Sequence, residues 1–394
     1  MPARLALGAY LVSRLVDRLL ARDTDGAARE GLLWQLDAVR RHLQELPPDS
    51  PESAHLHGIA DAVSIAPQPF AGLRLGLMAY AYFLEHEGRL EEALEVLALA
   101  VRTHGSEVPA GDFAASALFA GRLNRLLARW NEATACYMSS ESAAERAGDR
   151  VLGLRSRLGR AAVLRGQGNL PLSQATVEVV IEAARSAGLR DVEAMALTDL
   201  GAVYAIEGRR VEAVQANYEA FRLTEDALQR MRVLGDLGIG LKEIGAADGA
   251  RLAFELVVGA RTSFLVRTNA LLELMELESS VGDRMAFERR RAEAEKTQSR
   301  MPPSMLTDYH FKAGVGLARF GQTGRGRQFL TAGQALAETH GLNAWYFRFE
   351  KILANMTDCE LTAAPEPATH PGLGELPAVR AVAVGLREYA AAAI

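Results

Sequence analysis

LTDLGAVYAIEGRRVEAVQANYEAFRLT, residues 197–224, is the stretch from which the fold is read. Leu197, Leu200 and Tyr204 are spaced three and four apart, the stripe of an amphipathic helix. Gly208 stops that helix by taking the left-handed conformation, and a second amphipathic run follows. Gly201, seven residues before the turn, and Ala213, five after it, are small, so the two helices can cross closely. The stretch therefore predicts a helical hairpin.

Working outward, the same turn recurs at Gly88, Ala128, Gly168, Gly208, Gly245, Gly282 and Gly321, with spacings of 40, 40, 40, 37, 37 and 39 residues. Seven residues before each turn stand Ala81, Gly121, Ala161, Gly201, Gly238, Met275 and Gly314. Five residues after each come Ala93, Ala133, Ser173, Ala213, Ala250, Phe287 and Gly326. Self-similarity at a fixed period predicts an array of stacked hairpins more securely than local propensity does. Bulky residues such as Leu77, Leu84, Leu234, Leu241, Tyr137 and Phe254 fill the remaining core positions. Only the copy turning at Gly282 breaks the small-residue rule, with Met275 and Phe287, so its helices are expected further apart or at a changed angle.

These residues resemble the tetratricopeptide repeat (TPR). Leu197, Leu200-Gly201, Tyr204, Gly208 and Ala213 follow the family pattern in order, while Asn217 stands where the pattern has an aromatic, which shifts to Tyr218. The longer spacing is similar to that of long-repeat members such as bacterial peptide receptors and kinesin light chain; HEAT repeats have a comparable period but lack this placement of Gly and Ala. The resemblance implies an all-α, right-handed superhelical solenoid of about seven TPR-like hairpins with N- and C-terminal capping helices. Its expected divisions are a helical cap over 1–70, the array over 71–340, a capping helix over 341–358, a proline-rich linker over 359–377 and a tail helix over 378–394. Helices are expected over 3–22, 27–45 and about 53–64 in the cap. In the tail helix Val379, Val382, Leu386 and Tyr389 share one face.

The chain has 394 residues, 49% hydrophobic and 24% charged, which is the balance of a folded protein with a sizeable core. Net charge is only −5, so no chain-wide field calls for nucleic acid or an anionic membrane, and neither is an expected partner. The N-terminal run is interrupted by Arg4, Arg14, Asp17 and Arg18 and is read as an amphipathic helix, striped by Leu7, Leu11, Leu15 and Leu19, rather than a membrane span or signal. Cys136 and Cys359 belong to no disulfide or metal framework, and the expected location is the cytoplasm.

Chemistry-bearing patterns are sparse. GIGLKEIG (238–245) and GVGLARFG (314–321) have the glycine content of phosphate loops, but their first glycines fall mid-helix at the small repeat position. His57 and Asp61 share a helical face while His55 does not, and two ligands seldom hold a metal. Cys136 beside Tyr137 reads as a small buried apolar residue. No catalytic residue, metal or cofactor is expected. A helical phosphatase-like enzyme of the kind built on such repeats is the competing class, with Gln35, Asp37 and Gln44 as its only candidates.

The functional expectation rests on the array. The resemblance implies that first helices line a concave groove, and copy by copy this designates Tyr82, Arg122, Arg125, Arg155, Arg165, Asp199, Arg232, Lys242 and Phe311, with Glu85, Thr198, Glu276 and Lys312 beside them. The expected function is a protein- or peptide-binding scaffold, the mostly basic middle of that wall suiting an acidic segment because the Arg fork matches carboxylates. A peptide-responsive regulator, and an assembly factor controlled by its own tail, are the alternatives within the same reading. Self-association through the terminal helices is the further partner expected.

Overall fold

The structure is a computed structural model that describes residues 2–21, 26–47, 50–65, 70–104, 108–356 and 372–392. Every regular element among them is helical. The helices form two compact units, Met1–Ser173 and Gln174–Ile394.

The first unit opens with three helices, α1 (Pro2–Leu20), α2 (Gly26–Glu45) and α3 (Pro51–Ile65). Hairpins follow: α4 (Ala71–His86) with α5 (Leu90–Arg102), α6 (Ala110–Leu126) with α7 (Trp130–Ala147), and α8 (Arg150–Gly166) with α9 (Leu170–Ser186), which continues into the second unit. One apolar core runs from Val12, Leu15 and Val16 through Leu56 and Ile59 to Leu77, Leu84 and Leu97. The buried face of α1 is thus Ala9, Val12, Leu15 and Val16, whereas Leu7 is exposed. The expected leucine stripe is rotated because Val12 and Val16 take the inner face.

A buried polar lock fixes α3 and α4 to the first inter-helix turn. Tyr80 Oη donates to Glu52 Oε1 at 2.6 Å, and Arg89 Nη1 donates to the same oxygen at 2.8 Å. Glu52 is 2% exposed, so its charge is offset by hydrogen bonds rather than by water. Gly8 of α1 lies against the lock: a Cβ there would stand 2.9 Å from both Glu52 Oε1 and Tyr80 Oη.

The second unit continues with α10 (Arg190–Ile206) and α11 (Arg210–Leu223), α12 (Ala227–Glu243) and α13 (Ala247–Gly259), α14 (Phe264–Ser280) and α15 (Arg284–Glu295), then α16 (Pro303–Arg319) and α17 (Thr323–Thr339). Helix α18 (Asn343–Asn355) closes the array, and α19 (Pro377–Ala392) follows the 3-10 turn Leu373–Glu375. The proline-rich connector expected over 359–377 falls mostly outside the described residues.

All seven anticipated turns have positive φ, from +76° at Gly88 to +83° at Gly168 and Gly282, and +56° at the one non-glycine, Ala128. Its amide donates to Arg125 O and that of Arg129 to Asn124 O, the bonding that ends a helix in a left-handed residue. A side chain in that region costs roughly 1–2 kcal/mol. We expect Ala128→Gly to raise stability by about 1 kcal/mol, net of glycine's greater freedom in the unfolded chain, read as a higher urea midpoint at unchanged slope.

The small positions hold the hairpins together. A Cβ on Gly238 would lie 2.6 Å from the Phe254 ring, and one on Gly314 2.7 Å from Leu330. The divergent copy is accommodated by its neighbour: Phe287 is fully buried, and a Cβ on Gly316 in the next first helix would stand 2.3 Å from its ring. In residues 197–224, Asn217 fills the place of the aromatic, its Oδ1 lying 2.7 Å from where a Gly201 Cβ would be.

Candidate functional site: the first-helix wall

In the second unit the first helices α10, α12, α14 and α16 carry a ladder of charges at one repeat position. Asp199, Asp236, Glu273 and Lys312 each stand two residues before the small position held by Gly201, Gly238, Met275 and Gly314. Side chains at this position and its neighbours meet across successive hairpins. Lys312 Nζ donates to Glu273 Oε1 at 2.7 Å and to Asp308 Oδ2 at 2.8 Å. Lys242 donates to Glu273 and Glu276 of α14. Further along, Arg319 Nη1 donates to Ser279 Oγ at 2.8 Å.

Electrostatics divides the ladder in two. Burial alone would raise the Glu273 carboxyl, but the ammoniums of Lys312 and Lys242 outweigh it and hold it well below the usual carboxylate range. Burial would lower Lys312, yet Glu273 and then Asp308 outweigh it and keep it charged. The α14–α16 end is therefore a closed cluster in which two ammoniums are shared among three carboxylates.

The α10–α12 end is different. Burial pushes the Asp236 carboxyl up to about 6; Arg232 opposes this and the charge of Asp199 adds to it. Asp236 makes no hydrogen bond or close ion pair with any described residue. It is a half-buried carboxylate beside a second one, Asp199, and the exposed Arg232 is the cation that offsets its charge.

The residues singled out from sequence are distributed as follows. In the first unit, Tyr82 is exposed and stacked on Phe119, ring centroids 4.1 Å apart. Arg122 Nε lies 2.5 Å from Glu85 Oε1, a carboxylate almost wholly buried. Arg125 and Arg165 are half-buried, and Arg155 is exposed. In the second unit Asp199 is half-buried and engaged by neighbours, Arg232 is exposed, and Lys242 sits within the closed ionic cluster. Phe311 is 4% exposed, edge-on to Trp345 and Phe349 at 5.6 and 5.5 Å, with the Arg348 guanidinium over its face. It works as core between α16 and α18. Asp236 and Glu273 were not singled out, although both occupy the repeat position of Asp199.

The enzyme candidates lie in the first unit. Gln35 is buried, and Asp37 pairs with Arg41 at 3.0 Å. Gln44 lines a shallow pocket of about 270 Å³ with Arg40, Leu43, His57, Ala60 and Asp61. Among the described residues no group of three potential ligands converges to hold a metal ion, and no helix is long and apolar enough to cross a membrane.

No family model and no curated protein matches this sequence. Solved structures do. The chain is similar to a Rap conjugation gene regulator in complex with the Phr* peptide, with a TM-score of 0.51 and 11% identity over 90% of this chain and 99% of that one. It is similar also to a Rap protein complexed with Competence and Sporulation Factor, with a TM-score of 0.50 and 11% identity over 89% and 98% of the two chains. The shared feature is a TPR-like helical-repeat fold. At such identity the likeness is one of fold, and function is argued from the residues.

Proposed function

We propose that this chain is a peptide-binding regulatory adaptor whose ligand lies on the first-helix wall of the second unit and anchors a cationic group on Asp236 and Asp199. The observation that carries this reading is the half-buried Asp236 carboxylate, without a hydrogen bond or close ion pair to any described residue, beside Asp199 at the same position of the preceding hairpin. Glu273, at the next step of that ladder, is saturated by two lysines, whereas Asp236 has the chemistry to accept a lysine, an arginine or a terminal amine from outside. One fold neighbour is a complex with the Phr* peptide and another with Competence and Sporulation Factor, and the first supports a peptide as the ligand class.

An acidic ligand is the second reading, favoured by Arg125 and Arg155 of the first unit, but Arg122 and Lys242 already have carboxylate partners. The two are separated by screening a fluorescent library of short synthetic peptides against the purified chain at pH 7.5. Binders enriched in Lys or Arg that weaken by about tenfold or more in Asp236→Asn, a loss of about 1.4 kcal/mol or more, are the expected result. Binders that are acidic, indifferent to Asp236→Asn and lost in Arg155→Glu would replace this assignment with the second one.

A further inference from the structure

The tail helix α19 does not cover the end of the array. It lies on the second helices of two interior hairpins, α11 and α13. Val379, Val382 and Leu386 are buried there, and Tyr389 meets Phe221 of α11 edge-on with centroids 4.9 Å apart. Small residues bring the surfaces together. A Cβ on Gly385 would stand 1.7 Å from the Tyr218 Oη of α11, and one on Gly249 of α13 3.8 Å from the Ala383 Cβ of the tail. In the turn that precedes α19, Gly374 leaves room for only 3.2 Å between its virtual Cβ and the Ala246 amide nitrogen.

The receiving surface is built for this contact. Asn217, not an aromatic, packs inside the α10–α11 hairpin, and the aromatic displaced by one residue, Tyr218, faces the tail instead. The shifted aromatic thus belongs to the tail surface and not to the hairpin core. Meanwhile three side chains and one ring anchor a helix of sixteen residues rich in Ala and Val, and a helix of that length is marginal on its own. Few anchors on a shape-matched surface describe a helix that can leave and return.

We propose that the α11–α13 surface is a helix-binding site occupied in cis by the chain's own tail, and that occupancy sets the spacing of the wall on the opposite helices. Bridging α11 to α13 fixes the two hairpins whose first helices, α10 and α12, carry Asp199 and Asp236. Tail docking and ligand binding at those carboxylates are then linked, each altering the affinity for the other by the same factor. This second half rests on the peptide-binding reading above; the first half stands without it.

The test uses the full chain and a labelled synthetic peptide of residues 372–392. In wild type the site is filled, so the peptide binds weakly, its apparent affinity reduced by the fraction of chains whose tail is open. Leu386→Asp places a charge in the interface and frees the site, and peptide affinity rises by about tenfold or more. Gly385→Leu, which drives a side chain into Tyr218 and leaves the array untouched, gives the same rise, and a peptide carrying that change does not bind. Backbone hydrogen exchange then slows across α11 and α13, and also across α10 and α12, when the peptide is added to either variant. Equal peptide affinity for wild type and both variants overturns the site. A wild-type chain that elutes as a dimer and becomes monomeric in Gly385→Leu assigns the tail to a second copy and overturns docking in cis. Slowing confined to α11 and α13 overturns the coupling alone. None of these readouts requires a wall ligand, so they hold or fail separately from the effect of Asp236→Asn on peptide capture.

Discussion

Replacing Glu273 with alanine is expected to destabilise the Gln174–Ile394 unit by about 3–5 kcal/mol, because two buried ammoniums lose their shared partner. Lys312 is 7% exposed and would keep only Asp308, while Lys242 would keep only Glu276. Urea unfolding of the intact chain measures the loss. The double variant Glu273→Gln with Lys312→Gln is expected to cost clearly less than the sum of its single changes, since the two side chains share one hydrogen bond and each single change already breaks it. Additive losses would show that the cluster is held by packing rather than by charge. The pH dependence has a defined sign. Folding holds the Glu273 carboxyl below its ordinary range, so its contribution is present above the unfolded value and disappears as acid protonates it through the folded one.

Asp236→Asn is expected to do the opposite to stability. Folding raises this carboxyl from 3.8 to about 6, so an ionised Asp236 opposes folding. Well below pH 3.8 the group is neutral in both states and the cost is absent; it grows as pH rises through 3.8 and is complete above about 6. A shift of about two units corresponds to about 3 kcal/mol, an upper bound for the gain from the isosteric amide at pH 7.5. Thermal melts at about pH 2.5 and pH 7.5 check this: the variant should melt higher than wild type at pH 7.5 and alike at the acid pH. A destabilised variant at pH 7.5 would mean that the carboxylate has a partner that offsets its burial. The same substitution is the one expected to lose cationic peptides, so stability and binding trade against each other at one side chain.

The periodic features of the fold were legible in the sequence because they are backbone requirements. A left-handed turn and a close helix crossing each restrict residue type at a fixed offset, and these offsets located the turns from Gly88 to Gly321. The tail face was legible for the same reason, Val379, Val382 and Leu386 sharing a helical face that the array covers. Charge pairing was not. Lys242 counted as one more basic side chain of the wall, but its partners lie 31 and 34 residues onward, across a hairpin of changed length. The succession Asp199, Asp236, Glu273 and Lys312, two residues before successive small positions, is the periodic signal that marks this pairing. Repeat position alone turns Phe311 outward, yet the last hairpin has α18 against it rather than another copy, and that helix brings Trp345 and Phe349 over the ring.

The seating of Phe287 against Gly316 gives the array a polarity of construction. The α14–α15 hairpin stores its largest misfit in space lent by the hairpin that follows, so it is not an interchangeable brick. Grafted elsewhere it would need a glycine two residues past the small position of its new downstream neighbour. Duplication or shuffling of repeats within this chain would therefore have to move these two hairpins as one cassette.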